Sequence, residues 1–309
     1  MSLKLLTCSP SRFTRSITAS FLRQSRRTLI VGTSAEGSVI NVQQIPAAGS
    51  GHVRVLLLNR PEARNALSRQ LLSSLSQHVE SIRAENGKGP TRALVLGSNV
   101  DTAFCAGADL KERATFTQKD TAEFLANLRN TFKSIEELEI PTISAISSTA
   151  LGGGLELALA TQLRVFGSTA MVGLPETRLA IIPGAGGTYR LPKVVGTNRA
   201  LDMILTGRRV SAPEAYFMGL CNRLVEVTPE EASKEGVARE KVLAEAIKYA
   251  LDICEGGPIA LTQAIRAVTN WEKGENAENE AYEHVVGTED RNEALFAFVE
   301  KRKPSFKGR

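Results

Sequence analysis

The run Ala150-Leu151-Gly152-Gly153-Gly154-Leu155-Glu156-Leu157-Ala158-Leu159-Ala160 constrains this chain more than any other segment. Three consecutive glycines permit close backbone approach and dihedrals closed to other residues, and the apolar stretch behind them predicts a buried helix. The first-turn amides of such a helix point at whatever sits in front of it, which suits a developing negative charge. Glu156 is the one carboxylate in the run, and burying an unpaired carboxylate is costly, so it requires partners or a task. Two plainer readings stand beside the catalytic one: a favourable first-turn charge on the helix dipole, and glycines kept for packing clearance. A nucleotide loop fits poorly. Laying G-x-G-x-x-G on Gly152 and Gly154 puts Leu157 at the third glycine, and no G-x-x-x-x-G-K-[ST] occurs.

Upstream of that run, Val53-Arg54-Val55-Leu56-Leu57-Leu58 reads as an apolar strand. Leu67, Leu71, Leu72, Leu75, Val79 and Ile82 then recur at helical spacing up to Asn86-Gly87. The pattern returns as a strand at 93–96, a loop through Gly107, a helix over 124–138 and a strand at 142–146, which predicts an α/β core. Ser211 opens a short helix before Gly219, and 222–225 is the last strand candidate. Beyond Pro229 helical stretches follow one another without a strand. The expected division is a Gly/Ser/Ala-rich linker at 36–50, a core at 51–230 and a helical region at 231–309. The apolar faces of that last region would need cover from the core or from another subunit.

The net charge of +5 sits at the start of the chain. Lys4, Arg12, Arg15, Arg23, Arg26 and Arg27 precede the first acid, Glu36, leaving 32 basic against 33 acidic residues beyond them, a net of −1. With Ser2, Ser9, Ser11, Ser16, Ser20 and Ser25 among them, residues 1–35 read as an organellar transit peptide addressed to the mitochondrial matrix; a disordered basic tail is the plainer alternative. The near-neutral remainder argues against nucleic acid as a partner, since the helix after Asn65 offers Arg69 and Arg83 among many neutral residues. No run approaches the roughly 18 apolar residues of a membrane span. Cys8, Cys105, Cys221 and Cys254 form no C-x-x-C pair, and His52, His78 and His284 make no H-E-x-x-H, so neither a metal site nor a histidine triad is expected.

A second carboxylate, Glu176, follows Gly173-Leu174-Pro175 and precedes Ile181-Ile182-Pro183-Gly184-Ala185-Gly186-Gly187-Thr188. Alone it is as readily a turn residue after Pro175 as a catalyst, and it gains weight from pairing with Glu156. The third segment, Phe104-Cys105-Ala106-Gly107-Ala108-Asp109-Leu110-Lys111, is a small-residue loop whose amides could hold a ligand; Asp109 before helix formers is also an ordinary N-cap.

Taken with Asn59-Arg60-Pro61 and Asn65-Ala66-Leu67, these segments resemble the crotonase, or enoyl-CoA hydratase/isomerase, superfamily over roughly residues 50 to 309. Within it, 108–113 and 176–183 look most like the mitochondrial methylglutaconyl-CoA hydratases. The resemblance implies a crotonase-like spiral of ββα units whose helical C-terminal region builds homotrimers or homohexamers. It also implies an acyl-CoA substrate and no cofactor, coenzyme A being part of the substrate. It places Glu156 at water activation, Glu176 at α-protonation, and the amides of Ala108 and Gly153 at an oxyanion hole. Ala63, Arg64, Ala106, Gly107, Asp109, Leu110, Lys111, Gly152 and Gly184 would contact the substrate, with Arg64 and Lys111 near CoA phosphates. The implied reaction is hydration of 3-methylglutaconyl-CoA in leucine breakdown or of a short-chain enoyl-CoA. Isomerase or hydrolase chemistry on the same fold, or a weakly active scaffold or RNA-binding protein, is the alternative. Two positions depart from the family pattern: Ser148 where glycine is usual, which predicts strain in a loop needing positive φ, and Gln162 where aspartate is usual, which predicts a lost structural hydrogen bond.

Overall fold

The computed structural model describes residues 30–31 and 37–309, so the basic segment read as a transit peptide lies, apart from Ile30 and Val31, outside the described residues. In chain order the elements are β1 (Ile30–Val31), β2 (Ile40–Pro46), β3 (His52–Leu58), α1 (Arg69–Arg83), β4 (Thr91–Ser98), α2 (Leu110–Arg113), α3 (Gln118–Glu136), β5 (Thr142–Ile146) and β6 (Thr149–Leu151). There follow α4 (Gly153–Leu159), β7 (Leu163–Gly167), β8 (Met171–Gly173), α5 (Gly187–Val195), α6 (Thr197–Thr206), β9 (Val210–Ser211), α7 (Ala212–Phe217) and β10 (Arg223–Val225). The chain closes with α8 (Pro229–Ala232), α9 (Val237–Ile253), α10 (Pro258–Thr269), α11 (Glu275–Val286) and α12 (Glu289–Glu300).

Seven strands form one sheet in the order β1-β2-β3-β4-β5-β7-β10, parallel from β3 onward, and β6-β8-β9 form a second. Alternation along the strands divides the large sheet into two buried faces. Val53, Val55, Leu57, Val95, Ile143 and Val165 join the cluster of Val242, Ala246, Ala250 and Cys254 on and just beyond α9. Their neighbours Leu56, Leu58, Leu94, Leu96, Ile146 and Phe166 join Leu71, Leu75 and Val79 of α1 and Phe124, Leu128 and Phe132 of α3. All eight residues of β4 are buried, as a central parallel strand requires. Helix α1 begins where the Ser68 side chain accepts the Leu71 N–H, and α3 begins in a Thr117/Asp120 capping box.

One expectation needs correction. The segment read as a linker at 36–50 contains β2, paired antiparallel with β3 from Ile40–Leu58 to Pro46–His52. Its composition misled because the Gly, Ser and Ala residues make the hairpin turn, closed by Ala47 N–H donating to Gly51 O at 3.0 Å, while Asn41 and Gln43 lie on one face of the strand and Gln44 interrupts the apolar residues of the other. Of the two covers expected for the helical region beginning at 231, the core supplies that of α9, which packs on one face of the sheet. On and between α10, α11 and α12, large apolar side chains stand in the open, among them Trp271, Tyr282, Phe296, Phe298 and Val299. Among the described residues no helix is long and apolar enough to cross a membrane.

Candidate active site

At the end of β6 the chain turns into α4 through Gly152, held at φ 53° and ψ −126°, which side chains rarely adopt. A Cβ there would also stand 3.0 Å from Glu176 Oε1. Gly154 meets the other demand read from the run, clearance, since a Cβ at that position would fall 2.1 Å from Cys105 O. The loop carrying Ala108 is tied down by Leu67 N–H donating to Gly107 O at 2.7 Å and Asp109 N–H donating to Leu67 O at 3.3 Å. The N–H groups of Ala108 and Gly153 donate to nothing among the described residues, and both residues line one cavity of about 440 Å³. Glu156, Glu176 and Gly184 line it too, with Leu67, Leu125, Leu128, Ile181 and Ile182 supplying apolar walls. A larger groove of about 680 Å³ between α1 and α3 holds none of the predicted site residues.

The two carboxylates are held differently. Glu156 Oε1 accepts the N–H groups of Ala185 and Gly187, each at 2.8 Å. That loop is braced by Arg190, which donates to Ala185 O at 2.9 Å and pairs with Glu136 at 2.6 Å. Burial pushes the Glu156 carboxyl above its ordinary range, while the two amides, Arg190 and Arg129 pull it back. Glu176 opens a 3-10 turn, Glu176–Leu179, and its Oε2 is buried without a hydrogen-bond partner. Burial first, and then the charge of Glu156, push it up to about 7. Both carboxyls are thus raised, and only Glu156 has amide donors from another loop that favour its anion.

The remaining predicted residues lie in the supporting loops and at the start of α2 and do not line the cavity. Ala106 N–H donates to Arg64 O at 3.0 Å, joining the two loops, and the Arg64 guanidinium turns to Thr102 O at 3.1 Å. Ala63 is half-buried, Leu110 and Lys111 are exposed, and Gly107 and Gly152 are buried in the turns they form. Asp109 caps α2, accepting Glu112 N–H at 3.2 Å and pairing with Arg60 at 3.2 Å. Neither departure from the family pattern has the cost expected of it, although each leaves a buried polar atom without a partner, Ser148 Oγ and Gln162 Nε2. Ser148 does not have a positive φ, and Gln162 Oε1 accepts the Thr142 N–H at 2.5 Å and the Thr142 hydroxyl, so a structural bond is kept.

The sequence reading missed the cavity residues Arg113, Thr121, Leu125, Leu128 and Arg129. Thr121, Leu125 and Leu128 recur at helical spacing on α3, and that periodicity was the available signal for a face turned inward. Arg129 lies on the same stretch and its Nε donates to Gly184 O at 2.6 Å.

The enoyl-CoA hydratase/isomerase family profile matches residues 49–309. An enoyl-CoA isomerase/hydratase of Zymoseptoria tritici is 60% identical over 88% of this chain and 89% of its own length. A mitochondrial methylglutaconyl-CoA hydratase of Pyricularia oryzae is 54% identical over 94% and 95% respectively. Among solved structures, an enoyl-CoA hydratase from Bacillus anthracis superposes with a TM-score of 0.78 at 40% identity, covering 88% of this chain and all of that one.

Proposed function

The chain belongs to the enoyl-CoA hydratase/isomerase family and is a hydratase-type lyase, and from that premise we propose that it adds water to 3-methylglutaconyl-CoA through Glu156 and Glu176. The observation that carries the mechanism is one cavity holding two unequal carboxylates beside two undonated amides. Ala108 and Gly153 N–H groups receive the thioester carbonyl oxygen, and the N-terminus of α4 adds its partial positive charge there. Glu156, kept anionic by its two amide donors, takes a proton from water as the oxygen bonds to Cβ. The electron pair of the double bond moves onto the thioester as an enolate, and Glu176 delivers its proton to Cα as the carbonyl reforms. Every step uses side chains and amides of the chain, with CoA as part of the substrate. Exposed Lys111 and Arg64 meet CoA phosphates.

The relatives from Pyricularia oryzae, mouse and human that bear the name methylglutaconyl-CoA hydratase are all designated mitochondrial, which supports a mitochondrial matrix location. The exposed aromatic faces on α10 to α12 support a homotrimer, single or paired, that covers them. The test is hydration of 3-methylglutaconyl-CoA and crotonyl-CoA by protein lacking residues 1–35, with Glu156→Gln and Glu176→Gln alongside. Turnover of the carboxylated thioester, lost in each variant, is the expected result. Turnover untouched by either substitution would sink the two-glutamate mechanism.

A further inference from the structure

The cavity contains a cation that the hydration steps do not use. Arg113, at the end of α2, lines it between apolar residues of α3 and of the Ile181-Ile182 segment. Its guanidinium lies over the Phe124 ring at 4.4 Å from the centroid, and its Nε is buried with no hydrogen-bond partner. Among the described residues no carboxylate forms an ion pair with it, whereas Arg190, which braces the 185–187 loop, is engaged with Glu136 and Ala185. A guanidinium presents donors in a planar fork that fits a carboxylate, and Arg113 is half-buried, with its Nε shut off from water and unpartnered. Burial lowers the pKa of Arg113, with the charges of Glu112 and Glu156 opposing, yet arginine stays cationic at any working pH. Two arginines, Arg113 and Arg129, and two carboxyls line the cavity, and with Glu176 pushed up to about 7 and so only about half ionised at neutrality, the cations outweigh the carboxylates and the cavity suits a further negative charge.

We propose that Arg113 binds a second carboxylate at the far end of the acyl chain, so that the site selects CoA esters of dicarboxylic acids over uncharged acyl groups. The proposal rests on the thioester seating between Ala108 and Gly153, which sends the acyl chain past Glu156 and Glu176 into the space Arg113 borders. Arg113 is then a specificity residue and takes no part in the proton transfers.

The test is binding of two unreactive saturated thioesters, glutaryl-CoA and butyryl-CoA, measured by calorimetry on the full chain and on Arg113→Met and Arg113→Lys. The native protein should bind glutaryl-CoA at least about tenfold more tightly, Arg113→Met should abolish or invert that preference, and Arg113→Lys should keep part of it. In turnover, the ratio of kcat/KM for 3-methylglutaconyl-CoA over crotonyl-CoA should fall about 30-fold or more in Arg113→Met, through KM more than kcat. Equal binding of the two thioesters by the native protein, or an equal loss of both in Arg113→Met, overturns the proposal. If Arg113→Met fails to fold, Arg113→Lys decides, an unaltered preference counting against. A glutaryl preference that depends on Arg113 in a protein that hydrates neither enoyl thioester would instead overturn the hydratase reading and leave this one standing.

Discussion

The start of α4 and the turn after β8 each present a glutamate to the same cavity, and they do it by opposite means. Glu156 and Glu176 are 2% and 9% exposed, so burial alone does not distinguish them. Glu156 sits in the first turn of a helix, and its carboxylate is the acceptor for two amides of the 185–187 loop, itself pinned by Arg190. Glu176 sits in a 3-10 turn that ends at Ala180 in the left-handed region, and one of its oxygens is unmatched. Two amides of another loop and two arginines oppose desolvation in the first case, while in the second only the backbone amide of Glu176 itself does and the charge of Glu156 adds to the penalty. What separates the two is the hydrogen-bond inventory, because depth of burial makes them alike.

The largest expected effect breaks both halves of the comparison at once. Glu156→Gln and Glu176→Gln should each lower kcat by about 10²- to 10⁴-fold, measured on 3-methylglutaconyl-CoA hydration. Next comes a contrast in stability. Glu156→Ala orphans the Ala185 and Gly187 amides and should cost about 2–5 kcal/mol in urea unfolding, and a loss below 1 kcal/mol would mean the amides do not hold the anion. Gly152→Ala forces a side chain into a disfavoured backbone region and against Glu176 Oε1, so about 1–3 kcal/mol of stability should go together with activity. A smaller effect shows in pH dependence. Glu176 must be protonated to act as the acid, so the hydration kcat/KM should decline as pH rises through about 7, and that limb should be absent from whatever activity Glu176→Gln retains.

Legibility in the sequence followed how strongly a residue's environment was written into its neighbours. β3, α1, β4 and β5 were readable because apolar residues repeat at the strand or helix period and pack on both sheet faces. β2 was not, because only Ile40 along it is fully buried and its polar residues match those of a loop. The placement of α9 on the sheet was hidden because its buried residues include small ones, Ala246 and Ala250, that mark no face by size. In the site, Glu156 stood out as a lone charge among glycines and leucines, and Glu176 stood out chiefly by pairing with it. Arg113 and Arg129 were invisible for the converse reason. Each sits on a helix among other polar residues, where an arginine ordinarily faces water; Arg113 is half-buried and Arg129 exposed, and only the tertiary fold brings both to the cavity.

The smallest effect is also the one that most directly separates the two glutamates, because it needs no substrate. The folded-state pKa of Glu176 lies at about 7, above the ordinary value of 4.5, so the folded protein prefers the protonated form. Stability linked to this group is complete below 4.5 and is lost as pH rises from there through 7, since ionising Glu176 then penalises the folded state but not the unfolded one. Replacing it with glutamine removes the ionisation while keeping the shape. Glu176→Gln should therefore match the native protein near pH 4.5 and gain on it with rising pH, levelling above pH 7 at no more than about 3 kcal/mol. Thermal unfolding across that window reads the difference directly. A gain that does not grow with pH would mean that Glu176 finds a partner for its second oxygen in solution, and the asymmetry between the two carboxylates would then lie in their position along the reaction path alone.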